Sequence, residues 1–282
     1  MLVKDVMSKD LIVGYVPGTV EEALEILAKN NVSGMPVLKK GTKKVVGVVT
    51  RTDIFKKADE DQLAMVMNEK FYSVKEYDDV KKAAEILYQH RIHGLPVLND
   101  DEELVGIISP SDLLKILIGT KIDDIAENYF TNLVIPVYIE TPIPIIMEII
   151  SITNENALPV LDDSLKIVGI VTDGDLFKHS EIKEQILESD VGLGADEDQW
   201  TWEGIRDTLR RYYATAKVDL PKIPVREVMV TDVKTATRRT PVVEIAKTMI
   251  KYNISHIPVV DVNDRLIGMI TDIDLMRCIT GC

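Results

Sequence analysis

Residues 95–112 read LPVLNDDEELVGIISPSD, and the same pattern returns three more times. It is MPVLKKGTKKVVGVVTRTD at 35–53, LPVLDDSLKIVGIVTDGD at 158–175 and IPVVDVNDRLIGMITDID at 257–274. Each copy opens on an apolar residue, a proline and a valine, at Pro36, Pro96, Pro159 and Pro258. Ten or eleven residues later comes a glycine in a β-branched run: Gly47, Gly106, Gly169 and Gly268. A hydroxyl follows three residues on, at Thr50, Ser109, Thr172 and Thr271, and an aspartate three further, at Asp53, Asp112, Asp175 and Asp274. Fixed internal periods of this kind mark a repeat architecture.

The stretches before the prolines align without gaps. Val20, Ala23, Leu24 and Leu27 recur as Val80, Ala83, Ala84 and Leu87, as Ile143, Ile146, Met147 and Ile150, and as Val242, Ile245, Ala246 and Met249. This i, i+3, i+4, i+7 spacing predicts one apolar helix face per repeat. Thr19 with Glu22 forms a capping box, and Asp79 and Thr240 are the expected N-caps of their helices. The third helix opens Thr141-Pro142-Ile143-Pro144, where proline fits only the first turn. Two β-branched runs then flank a polar turn, as in a hairpin, and a second helix starts near the aspartate. Each unit is therefore β-α-β-β-α, of a size whose own core is marginal, so pairing of units is expected.

This order of elements, with its h-P-V and G-h-h-[T/S]-x-x-D motifs, resembles the CBS (cystathionine β-synthase) domain. The resemblance implies an α+β fold of four CBS repeats, paired into two Bateman modules and forming a flat disc, as in the gamma subunit of AMP-activated protein kinase. The expected boundaries are 1–58, 59–118, 119–180 and 223–282, with an insertion at 181–222. In that family the aspartate holds a ribose, the hydroxyl meets a phosphate, adenine lies against the backbone near h-P-V, and basic residues before h-P-V reach the phosphates. The resemblance thus implies a non-catalytic regulatory protein that binds AMP, ADP or ATP between repeats and signals to a protein partner. S-adenosylmethionine or methylthioadenosine, and a ligand-free scaffold, are the alternatives. A monomeric disc or a homodimer is expected.

On that basis the expected nucleotide-binding residues are Thr50, Arg51, Asp53, Arg91, His93, Pro96, Ser109, Asp112, Thr172, Asp175, His256, Pro258, Thr271 and Asp274. The cleft of Thr50 and Asp53, with Arg51 and with Arg91 and His93 from repeat two, has the best cation set. His256 is expected to face Thr172 and Asp175, helped by Arg238 and Arg239. Ser33 and Asn156 supply no cation to the clefts of Asp112 and Asp274, which suit a less charged ligand. An extra carboxylate stands beside the hydroxyl in Thr172-Asp173 and Thr271-Asp272, and it disfavours phosphate unless it turns away. A hydroxyl and an aspartate at a helix start are also ordinary capping residues, so capping alone explains the four motifs equally well.

Composition excludes several classes. The net charge is −13, which argues against a nucleic-acid partner. No apolar run reaches the length of a membrane span, and a cytoplasmic location is expected. The two cysteines, Cys278 and Cys282, give neither a disulfide framework nor a zinc site, and no cofactor, metal or catalytic group is expected. No P-loop, H-E-x-x-H or G-x-S-x-G occurs. In the insertion, Trp202, Ile205, Leu209, Tyr212, Tyr213 and Ala216 fall at helical spacing and predict an aromatic helix, with Trp200 beside it.

Overall fold

A computed structural model describes residues 1–57, 60–178, 181–189 and 211–281. Repeat one runs β1 (Gly14–Val16), α1 (Val20–Lys29), β2 (Gly34–Lys39), β3 (Val45–Thr50) and α2 (Arg51–Lys56), followed by the short α3 (Leu63–Val66). Repeat two runs β4 (Val74–Lys75), α4 (Val80–His90), β5 (Leu95–Leu98), β6 (Leu104–Ile108) and α5 (Pro110–Ile118). Repeat three runs β7 (Val137–Tyr138), α6 (Ile143–Thr153), β8 (Ala157–Leu161), β9 (Ile167–Thr172) and α7 (Asp173–Lys178). A ribbon of β10 (Glu181–Ser189) and β11 (Arg211–Asp219) precedes repeat four, which has α8 (Val242–Tyr252), β12 (His256–Val260), β13 (Leu266–Thr271) and α9 (Arg277–Thr280).

In each of the first three repeats the h-P-V strand is central, parallel to the opening strand and antiparallel to the glycine strand. In repeat four the opening strand shrinks to a single parallel bridge, Ala236 to Val259. The predicted helix faces are the buried ones: Val20, Ala23, Leu24 and Leu27, and their equivalents, are all below 9% exposed. Glu22 N–H donates to Thr19 Oγ1 at 3.1 Å and Thr19 N–H to Glu22 Oε2 at 3.2 Å, completing the capping box. Lys81 N–H donates to Asp79 as expected. Thr240 is not a cap: Pro241 holds that position, and the Thr240 hydroxyl instead accepts from Thr237 N–H in the preceding turn.

The aromatic helix expected in the insertion is corrected in part. Tyr212, Tyr213 and Ala216 lie on β11, paired over nine residues with β10; Trp200, Trp202, Ile205 and Leu209 lie outside the described residues. The sequence from 211 also reads with a period of two, Tyr212, Ala214, Ala216 and Val218 alternating with Tyr213, Thr215 and Lys217. Its β-branched and aromatic content fits that second period, and the ladder supplies the hydrogen bonds a lone helix turn would lack.

The repeats are joined in two ways. Sheet edges link one to two, through the Lys44–Glu103 bridge and a small apolar cluster of Leu38, Leu98 and Leu104, and three to four through Lys166–Arg265. Within each pair the lead-in segments are exchanged. Ser8 pairs with Ile107 of repeat two, Asn68 with Val48 of repeat one, Thr131 with Met269 of repeat four and Val230 with Ile170 of repeat three. Helices make the other joint: α5 packs on α8 and α4 on α9, while α2 packs on α6 and α7. Repeat two therefore meets repeat four, and repeat one meets repeat three.

The exchange explains the glycine of the motif. A Cβ at Gly106 or Gly169 would lie 2.3 Å from the sulfur of Met7 or Met229, both on exchanged lead-ins. At Gly268 the obstruction is stiffer: Phe130 Cδ2 at 2.3 Å and the Thr131 carbonyl at 2.5 Å. A methionine can swing aside; an aromatic ring and a backbone carbonyl cannot. We expect Gly268→Ala to cost about 1–3 kcal/mol, the usual range for overpacking, and Gly106→Ala to cost less. Urea denaturation of the two variants checks the order.

Candidate functional site

The hydroxyl and aspartate of every motif form the same local structure. Thr50 N–H and Oγ1–H both donate to Asp53 Oδ2, at 2.9 and 2.6 Å, and Asp53 N–H returns a bond to Thr50 Oγ1. Thr172 with Asp175 and Thr271 with Asp274 repeat all three bonds, and Ser109 with Asp112 repeats the two donations to the carboxylate while Asp112 N–H donates to the Ser109 carbonyl. Thr50 and Ser109 stand at the N-caps of α2 and α5, whereas Thr271 caps no helix, since the chain passes there into a 3-10 turn at Asp274–Met276; all four motifs use one carboxylate oxygen only. The other oxygen differs by repeat. Lys115 Nζ is 3.1 Å from Asp112 Oδ1, so that aspartate does have a cation, from its own helix. Lys178 is 3.7 Å from Asp175 Oδ1, and Arg91 donates to Asp274 Oδ1 at 3.1 Å.

A second recurring bond draws the repeat ends together. The N–H after the hydroxyl donates to the carbonyl three residues before the proline: Arg51 to Ser33, Asp173 to Asn156 and Asp272 to Ser255. Repeat two has Pro110 there, with no N–H to give, opposite His93. The side chains after the hydroxyl and before h-P-V consequently gather at the repeat junctions.

At the junction of repeats one and three, Arg51 is buried, 6% exposed, with Nη1 4.0 Å from Asp173 Oδ1. Its guanidinium lies over the Phe177 ring, which meets Phe55 edge-on. Burial raises the Asp173 carboxyl above the usual range, against the pull of Arg51. Lys56 Nζ reaches Asn154 Oδ1 across the same joint.

At the junction of repeats two and four, Arg91 holds Asp274, and His93 Nδ1 lies 3.7 Å from Asp272 Oδ1. The other nitrogen of His93 bonds Asn156 of repeat three at 3.1 Å. His256 bonds Ser255 through Nδ1, with its ring 6.3 Å from that of His93. Asp272 is 5% exposed, and its Oδ1 has no hydrogen-bond partner. Burial holds His93 down at about 4 and His256 at about 3, with Arg91 adding to both. Burial pushes Asp272 up to about 7, and the neighbouring Asp274 adds to the rise.

This corrects the expected grouping. Arg91 and His93 converge on Asp274 and Asp272, not on Asp53, because the helices join repeat two to repeat four. Arg51 lies against Asp173 instead, with Nη1 at 4.0 Å and its buried Nε without a hydrogen-bond partner. His256 sits beside His93, and Arg238 is paired with Glu127 at 3.2 Å. The extra carboxylates Asp173 and Asp272 turn into the junctions. Pro96 and Pro258 lie in the central strands as expected, opposite Ile107 and Met269. Sequence reasoning noticed Asn156 and Asp272 but did not count them among the binding residues. Their signal is positional: each occupies a slot filled by a polar residue in at least two other repeats. Among the described residues no group of acids, histidines and cysteines is arranged to hold a metal, and no helix is long and apolar enough to cross a membrane.

The two buried-group shifts have opposite signs in stability. Asp272 holds in the folded state a proton that the unfolded chain loses near pH 4; that contribution is present at low pH and is lost as pH rises to about 7. His93 and His256 give the reverse, a contribution present above about pH 6.5 and lost as pH falls towards 4 and 3. Asp272→Asn is expected to gain thermal stability relative to the native chain progressively from pH 4 to pH 7. Melting temperatures across that range check it, and a constant difference contradicts it.

Residues 3–60, 63–119, 126–181 and 225–281 each match the model of the CBS domain. The chain is 26% identical over 301 residues to the uncharacterised protein MJ1225 of Methanocaldococcus jannaschii, covering 98% of both. The crystal structure of that protein, described as a proposed archaeal homologue of γ-AMPK, superimposes with a TM-score of 0.80 at 23% identity, covering 99% of this chain and 100% of the other. An uncharacterised conserved protein of Pyrococcus horikoshii superimposes with a TM-score of 0.65 at 26% identity, over 99% of each chain. A stretch of 114 residues is 34% identical to inosine-5'-monophosphate dehydrogenase of M. jannaschii, 39% of this chain and 22% of that enzyme.

Proposed function

The chain belongs to the CBS domain family, and from that premise we propose that it is a non-catalytic regulatory protein that binds an adenine nucleotide at the repeat junctions and passes the bound state to a protein partner. The observation that carries this reading is the junction of repeats two and four. Arg91, His93, Asn156, His256, Asp272 and Asp274 come from three repeats and converge there, with a buried carboxylate oxygen left unsatisfied. Buried polar atoms without partners are rare in a finished core and are expected where a ligand completes the bonding. Arg91 is half-exposed and supplies a guanidinium suited to phosphate. Once Arg91 leaves it, the second oxygen of Asp274 is available to accept from ribose hydroxyls.

A ligand shifts such an assembly only by binding its two arrangements unequally. Here the ligand must exchange the Arg91–Asp274 contact for its own, which alters the joint between repeats two and four. Asp272 favours a second reading, a phosphate-free adenosine ligand such as S-adenosylmethionine or methylthioadenosine, because a carboxylate beside phosphate is repulsive. Calorimetry with AMP, ADP, ATP and S-adenosylmethionine separates the two. Binding of AMP, weakened about tenfold or more by Arg91→Ala through loss of a charge-assisted bond, is the expected result. No heat with any of the four at millimolar concentration leaves the chain a ligand-free scaffold.

A further inference from the structure

The residue after the motif hydroxyl is Arg51, Pro110, Asp173 and Asp272 in the four repeats. At the joint of repeats one and three this position faces itself with opposite charges, Arg51 on Asp173. At the joint of repeats two and four the same position offers Pro110 and Asp272. The arginine is missing, and Asp272 has kept the carboxylate. Its Oδ1 is buried and has no hydrogen-bond partner, and His93 Nδ1 lies beyond hydrogen-bond distance at 3.7 Å. The charged and titratable groups around it are His93 and Arg91 from repeat two and Asp274 and His256 from repeat four; repeat three adds only the neutral Asn156. Arg91 is therefore the one permanent cation in this group, and it is committed to Asp274 at 3.1 Å.

We propose that the junction of repeats two and four takes up a proton together with its phosphate ligand, and that Asp272 receives that proton. The proposal rests on the nucleotide reading above. A phosphate dianion entering the junction draws Arg91 off Asp274. Asp274 then stands beside Asp272 without its cation, and Asp272 Oδ1 is buried with no hydrogen-bond partner. Protonation of Asp272 removes one negative charge and turns its oxygen from a repelling acceptor into a donor. The proton comes from solvent, so the complex gains one proton relative to its free components. Burial has already raised the Asp272 carboxyl to about 7, and the charge of the bound phosphate raises it further. Where the repeats one and three joint has a fixed arginine, no proton is required.

The experiment is calorimetric titration of the full chain with AMP between pH 7.2 and 8.5, in buffers of different ionisation enthalpy. AMP is already dianionic there, since its second phosphate pKa is about 6. Expected are a net uptake approaching one proton per AMP bound at this junction and an affinity that falls about tenfold per pH unit at the upper end. Asp272→Asn should bind AMP with no uptake and a flat pH profile. AMP binding without proton uptake, or uptake unchanged in Asp272→Asn, overturns the proposal while leaving the nucleotide reading intact. If AMP does not bind, the nucleotide reading fails. The proton acceptor is then judged by the carboxyl carbon resonance of Asp272 in the free protein: a midpoint near the usual 4 refutes it, and one near neutrality supports it.

Discussion

Arg51→Met is expected to lower the unfolding free energy by about 3 kcal/mol at pH 8, the scale of leaving one member of a buried ion pair without its partner. Both groups are nearly inaccessible, with side chains 8% and 9% exposed, so water cannot replace the lost guanidinium. The methionine is close in volume and keeps contact with Phe177, which isolates the electrostatic part. The loss should shrink as the pH falls, because Asp173 is already disposed by burial to take a proton and a neutral carboxyl no longer needs a cation. Adding Asp173→Leu should recover most of the stability, since replacing a buried pair with apolar residues is often close to neutral. Urea denaturation of the single and double variants at pH 8 and pH 5.5 measures all three effects. A single variant equally weak at both pH values would mean that lost packing, not the stranded carboxylate, is responsible.

That pair also shows where sequence was informative and where it was not. The β-α-β-β-α unit was legible because its signals are local: helical spacing, a hairpin between β-branched runs, and a hydroxyl three residues before an aspartate. The capping geometry of Thr50 with Asp53 needs nothing beyond its own turn. The partner of Arg51 lies 122 positions away, and although Arg51 and Asp173 fill the same slot of the repeat, the period does not say which repeats meet there. Nor does it say so for Arg91 and Asp274. Adjacent repeats do pair through their sheets, but the charged residues before h-P-V leave from the helix side, and the helices join alternate repeats. One long-range feature did leave a trace. An apolar residue followed four later by Met or Phe recurs as Val3–Met7, Leu63–Met67, Ala126–Phe130 and Val225–Met229. It marks the exchanged lead-ins, and the four glycines they press upon are its complement. The ribbon at 181–189 and 211–219 was misread because Tyr212, Tyr213 and Ala216 satisfy two periods at once.

The two helix joints differ in a way that governs how the molecule comes apart. Around repeats two and four there is a single buried cluster, running from Val80, Leu87 and Leu117 through Val242 and Met249 to Leu275. Repeats one and three have separate clusters, with Phe177 of one side and Phe55 of the other as the apolar links. One reason is visible in α5, which runs nine residues and packs along α8, whereas α2 and α7 run six. Leu117→Ala, at a fully buried site on α5, is expected to cost about 2–5 kcal/mol. Because its cluster is continuous, amide hydrogen exchange should accelerate together in α4, α5, α8 and β12. Leu27→Ala, equally buried, should cost a similar amount but accelerate exchange chiefly in α1, β2 and β3. Exchange read by mass spectrometry at peptide resolution separates the two patterns; identical profiles for both variants would show one cooperative unit instead. A ligand that binds only the folded junction stabilises the body containing it by mass action. AMP should accordingly slow exchange in repeats two and four of the Leu117→Ala variant and do much less for repeat one of Leu27→Ala. The body that unfolds as a unit is then also the body that senses.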